Sequence, residues 1–324
     1  MKKLIDKKDK IYIAGHNGMV GQAIQRSFLK NNYKNLIYAS KKELDLRDYL
    51  AVKEWFKVQN PDVVIIAAAK VGGILANSLY PAEFLFDNLK IQTNLIENAF
   101  KHNVKRLLFL GSSCIYPKNS KQPIKEEYLL SGDLEKTNEW YALAKIAGIK
   151  QCSSLKIQYG FDAISLMPTN LYGPGDNYHP TNSHVLPALI RRFQEAIDTN
   201  ANNVTCWGSG NPLREFLHVD DLAEACLFVL EKWKPKEQDI HYLNVGTGKD
   251  ISIKELAYII SENIGFKGKI FWDKTKPDGT FRKLLDVNRI NNLGWEPKID
   301  LNYGIKDTCI DYKKNSKKLL QSKN

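Results

Sequence analysis

Tyr141-Ala-Leu-Ala-Lys145 sets a phenol and an ammonium group four residues apart. On a helix that spacing places both on one face. Such a lysine favours the tyrosinate form and can hold a ribose, so the phenol can give a proton to a carbonyl oxygen during reduction. Upstream, Leu110-Gly111-Ser112-Ser113 offers a second hydroxyl, Ser112, for the same oxygen. Cys114 follows two residues after Ser112, where a side chain can reach a substrate. A thiol of ordinary pKa about 8.5 needs only modest tuning to move protons near neutrality. His184, in an irregular stretch ahead of a helical one, is its natural partner. Each residue also has a plain structural reading: a surface helix, a buried thiol, a hydrogen-bonded loop histidine.

Reduction needs a hydride source, and the N-terminal part of the chain is built to hold one. Gly15-His16-Asn17-Gly18-Met19-Val20-Gly21 follows an apolar strand and opens into a helix. Glycines there allow a tight turn, close approach of a pyrophosphate and close helix–strand packing, while the helix start supplies free N–H donors. An acid at the end of the second strand would bind the 2′-hydroxyl of NAD, whereas a basic residue accommodates a 2′-phosphate. The chain has Ala39-Ser40-Lys41-Lys42 there, and Glu43 falls one turn too late, so NADP is favoured, held at that end by Ser40 and Lys41.

These groups must be positioned by alternating strands and helices. Strands are expected at Lys10–Ala14, Leu36–Ala39, Val63–Ala67, Arg106–Leu110 and Ala163–Met167. Helices are expected at Met19–Leu29, Tyr49–Val58, Asn88–His102 and Glu139–Tyr159. That alternation predicts an α/β fold, a Rossmann-like doubly wound parallel sheet. The stretch Pro168–Pro187 is rich in Gly, Pro and Asn and too long for a plain connector, which points to a functional loop. Further helices at Val185–Ala196, Asp221–Lys232 and Ile253–Ile264 belong to a smaller C-terminal α/β lobe. The division expected is a nucleotide-binding domain over 10–175, with 215–248 returning to it. A substrate lobe covers 176–214 and 249–312, and basic ends cover 1–9 and 313–324.

A net charge of +11 over 324 residues raises the question of nucleic acid, but residues 1–10 and 305–324 supply +7 of it. The remainder is an ordinary surface suited to a small anionic substrate, and no interleaved aromatic-basic platform is present. No apolar run approaches the roughly 18 residues of a membrane span. The charged start is no signal peptide, so a cytoplasmic protein is expected. Five cysteines without a C-x-x-C pair support neither a disulfide framework nor a zinc site. Cys152 and Cys226 read as core residues, His102 and His241 as surface ones, and His218 as a cap; no histidine sits in a metal-ligand cluster, and no metal is expected.

The glycine loop, the serine and Tyr-x-x-x-Lys together resemble the extended short-chain dehydrogenases. Arg214-Glu-Phe-Leu-His218-Val-Asp220-Asp221 and Asn244-Val-Gly246-Thr-Gly248 are similar to later landmarks of that group. More narrowly, Ala67–Ile74, Leu110–Pro117, Met167–Pro174, Asn182–Leu189 and Lys276–Thr280 resemble the GDP-L-fucose synthase family, from about Ile11 to Trp295. The resemblance implies epimerisation of GDP-4-keto-6-deoxy-D-mannose at C3 and C5 followed by NADPH-dependent reduction at C4, in a homodimer. It implies Cys114 as base and His184 as acid. It also implies cofactor contacts from Leu110, Gly111, Ser112, Ser113, Lys145, Pro168, Thr169, Asn170, Leu171 and His184. Arg192, Arg214 and Lys283 are diphosphate candidates because such cations match phosphate oxygens. Trp207 offers a stacking or pocket-lining surface, and Asp278 a further substrate contact. The chain departs from the family at Asn17, where relatives often carry an arginine; this weakens the expected preference for the 2′-phosphate.

The chemistry agrees with the resemblance, because a 4-keto group acidifies the protons on both neighbouring carbons. A dehydratase would carry an acidic pair where Ser113 and Cys114 stand, and a simple 4-epimerase needs no cysteine acid–base and retains NAD. A non-catalytic sensor on this fold commonly lacks the tyrosine or the lysine, and both are present here. The basic ends leave RNA binding as a reading from another class, to be tested by deleting residues 1–8 and 314–324.

Overall fold

The computed structural model describes residues 3–276 and 278–321, with side chains to residue 315. Six parallel strands form its central sheet in the order β2-β1-β3-β4-β5-β9. They are β1 (Ile11–Ala14), β2 (Leu36–Ile37), β3 (Val63–Ile66), β4 (Arg106–Leu110), β5 (Ala163–Pro168) and β9 (Tyr242–Val245). β1, β3, β4, β5 and β9 are buried along their whole length, as expected of strands covered on both faces. Helices α1 (Met19–Lys30) and α7 (Val219–Lys232) pack together; α2 (Tyr49–Gln59), α4 (Pro81–Lys101) and α5 (Glu139–Tyr159) form a second layer. Strand order reverses direction between β1 and β3, so the crevice beyond the C-terminal ends of the strands there is where a dinucleotide binds in such folds. The fold is the Rossmann-like doubly wound sheet anticipated above.

Several boundaries differ from the sequence reading. β2 stops at Ile37 rather than Ala39, because Glu43 pulls the following residues into a turn. α4 begins at Pro81, seven residues before the expected Asn88; proline is tolerated at a first helical position, whose N–H has no partner anyway. A strand, β6 (Asn170–Tyr172), forms in the stretch read as irregular, and a short helix, α3 (Ile74–Leu79), forms where no element was assigned.

A second sheet joins β6 and β10 (Asp250–Ser252) to β8 (Leu213–His218), which also pairs with β12 (Arg282–Lys283). β7 (Asn203–Trp207) pairs in parallel with β11 (Lys269–Asp273). Two apolar clusters result. One surrounds the central sheet; the other holds Leu186, Ile190, Phe193, Phe216, Leu256 and Ile260. α6 (Val185–Asp198), α8 (Ile253–Ile264) and α10 (Leu301–Gln321) line the second cluster, and a short α9 (Asn288–Asn292) packs by β9.

Residues 3–9, read from the sequence as part of a basic end, lie against the body. Ile5 is buried, Leu4 N–H bonds Glu231 O, and Lys3 pairs with Glu231. Cys152 and Cys226 are core residues, and His218 caps α7 by accepting from the Asp220 N–H. His241 is not a surface residue: it is buried, with Nε2 3.0 Å from Lys236 O, a bond that makes burial of the ring tolerable.

Candidate active site

The turn after β1 is shaped by glycine. Gly15 has φ +87°, and a Cβ there would stand 2.6 Å from Ala68 N; a Cβ on Gly21 would stand 2.2 Å from Gly15 O. α1 starts on Gly18, which has no side chain to bond the first N–H groups, so these remain available to an anion. His16 lies against Tyr38, ring centroids 5.0 Å apart, and Asn17 and Lys41 are exposed beside them. These features fit a dinucleotide pyrophosphate. At the second strand's end the structure adds what the sequence reading had placed too far away. The Glu43 carboxylate accepts from the Ser40 N–H at 2.7 Å, so an acid does reach this corner and is engaged in holding the turn.

The end of β4 carries the reactive cluster. Ser112 caps a 3-10 turn at Ser113–Ile115, its Oγ accepting from the Cys114 N–H at 3.2 Å. Lys145 is buried, and its Nζ donates to Leu110 O at 2.7 Å and lies 5.8 Å from the Tyr141 ring centroid. Burial lowers the Lys145 pKa to about 7. Burial also pushes the Tyr141 phenol up, the Cys114 sulfur adds to this, and a hydrogen bond with Ser112 offsets part of it. The expected lysine-driven tyrosinate is therefore not what this geometry favours. A phenol held protonated is the form a proton donor needs.

Cys114 has two donors aimed at its sulfur, Asn138 Nδ2 at 3.2 Å and Lys283 Nζ at 3.8 Å. Lys283 was expected at a diphosphate; here its ammonium meets the thiol. β12 and β8 align Lys283 with Arg214, whose guanidinium feels the charges of Cys114, Asp278 and Glu135. Asn138 and Glu135 escaped sequence reasoning, since nothing local marks them; they lie on the 3-10 turn at Lys136–Asn138 that precedes α5.

His184 is the N-cap of α6, and protein crowded round its imidazole holds the ring below its ordinary pKa although the residue keeps open surface. The preceding residues are pressed onto the β3–α3 loop, where Gly73 N–H bonds Asn182 O at 3.1 Å. After β5, Pro168-Thr169-Asn170-Leu171 run into β6. The Thr169 Oγ1 and Asn170 Nδ2 both donate to Glu215 O, at 3.2 and 2.8 Å.

A second group forms around β7. The Arg192 guanidinium lies 4.9 Å and the Lys276 ammonium 5.6 Å from the Trp207 ring, whose residue is 52% exposed. Asp278 accepts from the Ser209 N–H and hydroxyl at 2.7 and 2.8 Å. An exposed indole between two cations is a surface for a flat base and an anion. Among the described residues no group of three or more His, Cys, Asp or Glu side chains could hold a metal ion, and no helix is long and apolar enough to cross a membrane.

A doubly wound parallel sheet with a glycine turn on its first strand defines a dinucleotide-binding fold of the Rossmann type. Residues 11–246 match the NAD dependent epimerase/dehydratase family. The chain is 56% identical over 310 residues to GDP-L-fucose synthase 1 of Arabidopsis thaliana, covering 96% of this chain and 95% of that protein. It is 53% identical over 306 residues to GDP-L-fucose synthase of Escherichia coli (strain K12), covering 93% and 95%. A GDP-L-fucose synthetase from Naegleria fowleri, solved bound to NADP, superposes with a TM-score of 0.89 at 26% identity, covering 99% of each chain. The chain belongs to the NAD dependent epimerase/dehydratase family, and its likeness to the GDP-L-fucose synthases within it extends over nearly the whole chain.

Proposed function

We propose that the chain converts GDP-4-keto-6-deoxy-D-mannose into GDP-L-fucose, by epimerisation at C3 and C5 and then NADPH-dependent reduction at C4. The observation that carries this reading is the Cys114 sulfur, met by Asn138 and Lys283, on the same short segment as Ser112. A reductase alone has no use for a thiol there. The C4 ketone, hydrogen-bonded by Ser112, draws the negative charge that develops when a neighbouring proton leaves. The Cys114 thiolate, hydrogen-bonded by Asn138 and Lys283, takes that proton, and His184 delivers a proton to the opposite ring face.

A nicotinamide cofactor, when bound, supplies the hydride for the last step. The Gly15–Gly21 turn and the Leu110–Ser113 and Pro168–Leu171 segments would hold it, with Lys145 at its ribose and Ser40 and Lys41 nearest a 2′-phosphate. Tyr141, kept protonated by burial, then gives its proton to the C4 oxygen. Arg192, Trp207, Arg214 and Asp278 hold the GDP end, on the lobe formed by 176–214 and 249–312. We further take the enzyme to be a cytoplasmic homodimer that uses neither nucleic acid nor membrane.

The test separates the half-reactions in deuterated water. Tyr141→Phe is expected to lose reduction but keep deuterium uptake at C3 and C5. Cys114→Ser is expected to slow uptake by about 10²–10⁴-fold, the usual worth of a general acid–base group, without weakening NADPH binding. Failure of Tyr141→Phe to exchange while binding substrate normally would refute the division of labour. Unchanged exchange in Cys114→Ser would make the cysteine structural.

A further inference from the structure

Two carbons of one sugar must be inverted, and on the reading above a single thiol serves both. Each inversion leaves a proton on Cys114 and removes one from His184. Before the second inversion Cys114 must therefore lose its proton to somewhere other than the sugar. Asn138 Nδ2 and Lys283 Nζ both donate toward the sulfur, so neither is placed to take its proton.

Behind the thiol lies a cavity about the size of one water molecule, walled by Cys114, Gln122, Glu135, Thr280 and Lys283, with Lys118 at its edge. Those polar groups give a water the two to four partners it needs to reside there. Glu135 is the one carboxylate among the described residues of this wall. Its Oε2 accepts from Thr280 Oγ1 at 3.3 Å and lies 3.0 Å from Nζ of Lys118, whose side chain is 49% exposed. The carboxylate thus faces the cavity on one side and solvent, through Lys118, on the other.

We infer that Glu135 is the proton exit for Cys114, reached through a water in this cavity. The S–H bond of Cys114 breaks as the water accepts its proton, and that water passes a proton to the Glu135 carboxylate. Glu135 then releases it to bulk solvent beside Lys118, leaving a thiolate, a water and a carboxylate as before. No oxidant or reductant enters. Burial works to raise the Glu135 pKa, but Lys118, the Thr137 N–H and Thr280 outweigh it and leave it below the ordinary value. Such a group holds a proton only briefly, which suits a relay rather than a store.

The experiment follows deuterium uptake from deuterated water into GDP-4-keto-6-deoxymannose by quenched mass spectrometry, in the Tyr141→Phe background. The background enzyme should yield mostly doubly labelled sugar. Adding Glu135→Gln keeps an acceptor for the turn that carries Asn138 but removes the basic carboxylate. Singly labelled sugar should then accumulate, the double-to-single ratio falling by about tenfold or more. Glu135→Asp in place of Glu135→Gln should restore the ratio. An unchanged ratio in Glu135→Gln overturns the inference. So does loss of all labelling that Glu135→Asp does not repair, since Glu135 would then only hold the turn. If Cys114→Ser exchanges normally in the same background, the earlier reading fails; if it is dead while Glu135→Gln has a normal ratio, only the exit fails.

Discussion

Lys145 is a residue whose environment strongly changes its chemistry. Its folded pKa of about 7 lies well below the roughly 10.4 of an unfolded lysine, because the amine is buried beside Phe109 and Tyr141 with one carbonyl acceptor. Between those values the unfolded chain binds a proton that the folded chain does not, so this group makes stability rise with pH. Its charging cost is fully felt below about pH 7 and disappears as pH climbs toward the unfolded value. Lys145→Met removes the group. Urea unfolding of the cofactor-free proteins should show wild type gaining on the variant between pH 7 and 9.5, by at most about 1.4 kcal/mol per pH unit. A constant difference across that range would mean the amine is not desolvated.

At the scale of elements, the start of α1 and the turn from β1 act as one piece. α1 carries no side-chain N-cap, and its approach to Gly15–His16 is closer than any Cβ allows at Gly21. The neighbouring atoms are backbone, which cannot swing aside as a side chain would. Gly21→Ala should therefore push α1 away from the turn and disturb its packing on α7, where Ser27 donates to Glu224. We expect a loss of about 1–3 kcal/mol, the usual cost of overpacking, from denaturant midpoints. Fluorescence titration should show NADPH affinity falling as well. The same loop should tolerate Asn17→Ala in these terms, because Asn17 is exposed and it is its backbone oxygen that accepts from Gln22. A Gly21→Ala protein with wild-type stability and affinity would show that α1 shifts freely.

For the molecule as a whole, Glu215 is the tie between its two apolar clusters. It is fully buried on β8, yet no cation pairs with it among the described residues. Its carboxylate accepts instead from the N–H groups of Thr247, Gly248 and Leu285, at 2.6, 2.7 and 3.0 Å. Burial raises its pKa and those three donors restrain the rise. The residue thus joins the loop after β9 to the strand bearing Lys283, while its carbonyl receives Thr169 and Asn170. Glu215→Gln leaves at least one N–H facing another donor. The expected cost is about 2–4 kcal/mol in urea unfolding. Because Arg214 and Lys283 are set by the same strands, GDP binding measured by calorimetry should weaken more than NADPH binding. Equal weakening of both would assign Glu215 to general stability alone.

Much of this arrangement is written in short-range pattern. The Gly15–Gly21 turn, the helix carrying Tyr141 and Lys145, and the apolar strands are legible because each depends on residues within one or two turns of each other. The helix Ile253–Ile264 falls where the sequence predicts, since Ser252 and Glu255 form a capping box at its start and Gly265 ends it. The type of chemistry at Ser112, Cys114 and Tyr141 follows from residue identity in the same way. What surrounds the thiol does not. Asn138 comes to Cys114 from 24 residues away and Lys283 from 169, and the second arrives only because β12 pairs with β8 beside Arg214. Glu43 at the second strand's end, the early start of α4 at Pro81 and the burial of His241 were likewise decided by contacts beyond the local chain. Local sequence determined which groups carry chemistry and which elements bear them; tertiary packing alone decided which cations, amides and carboxylates face them, because a hydrogen-bond partner needs proximity in space and not along the chain.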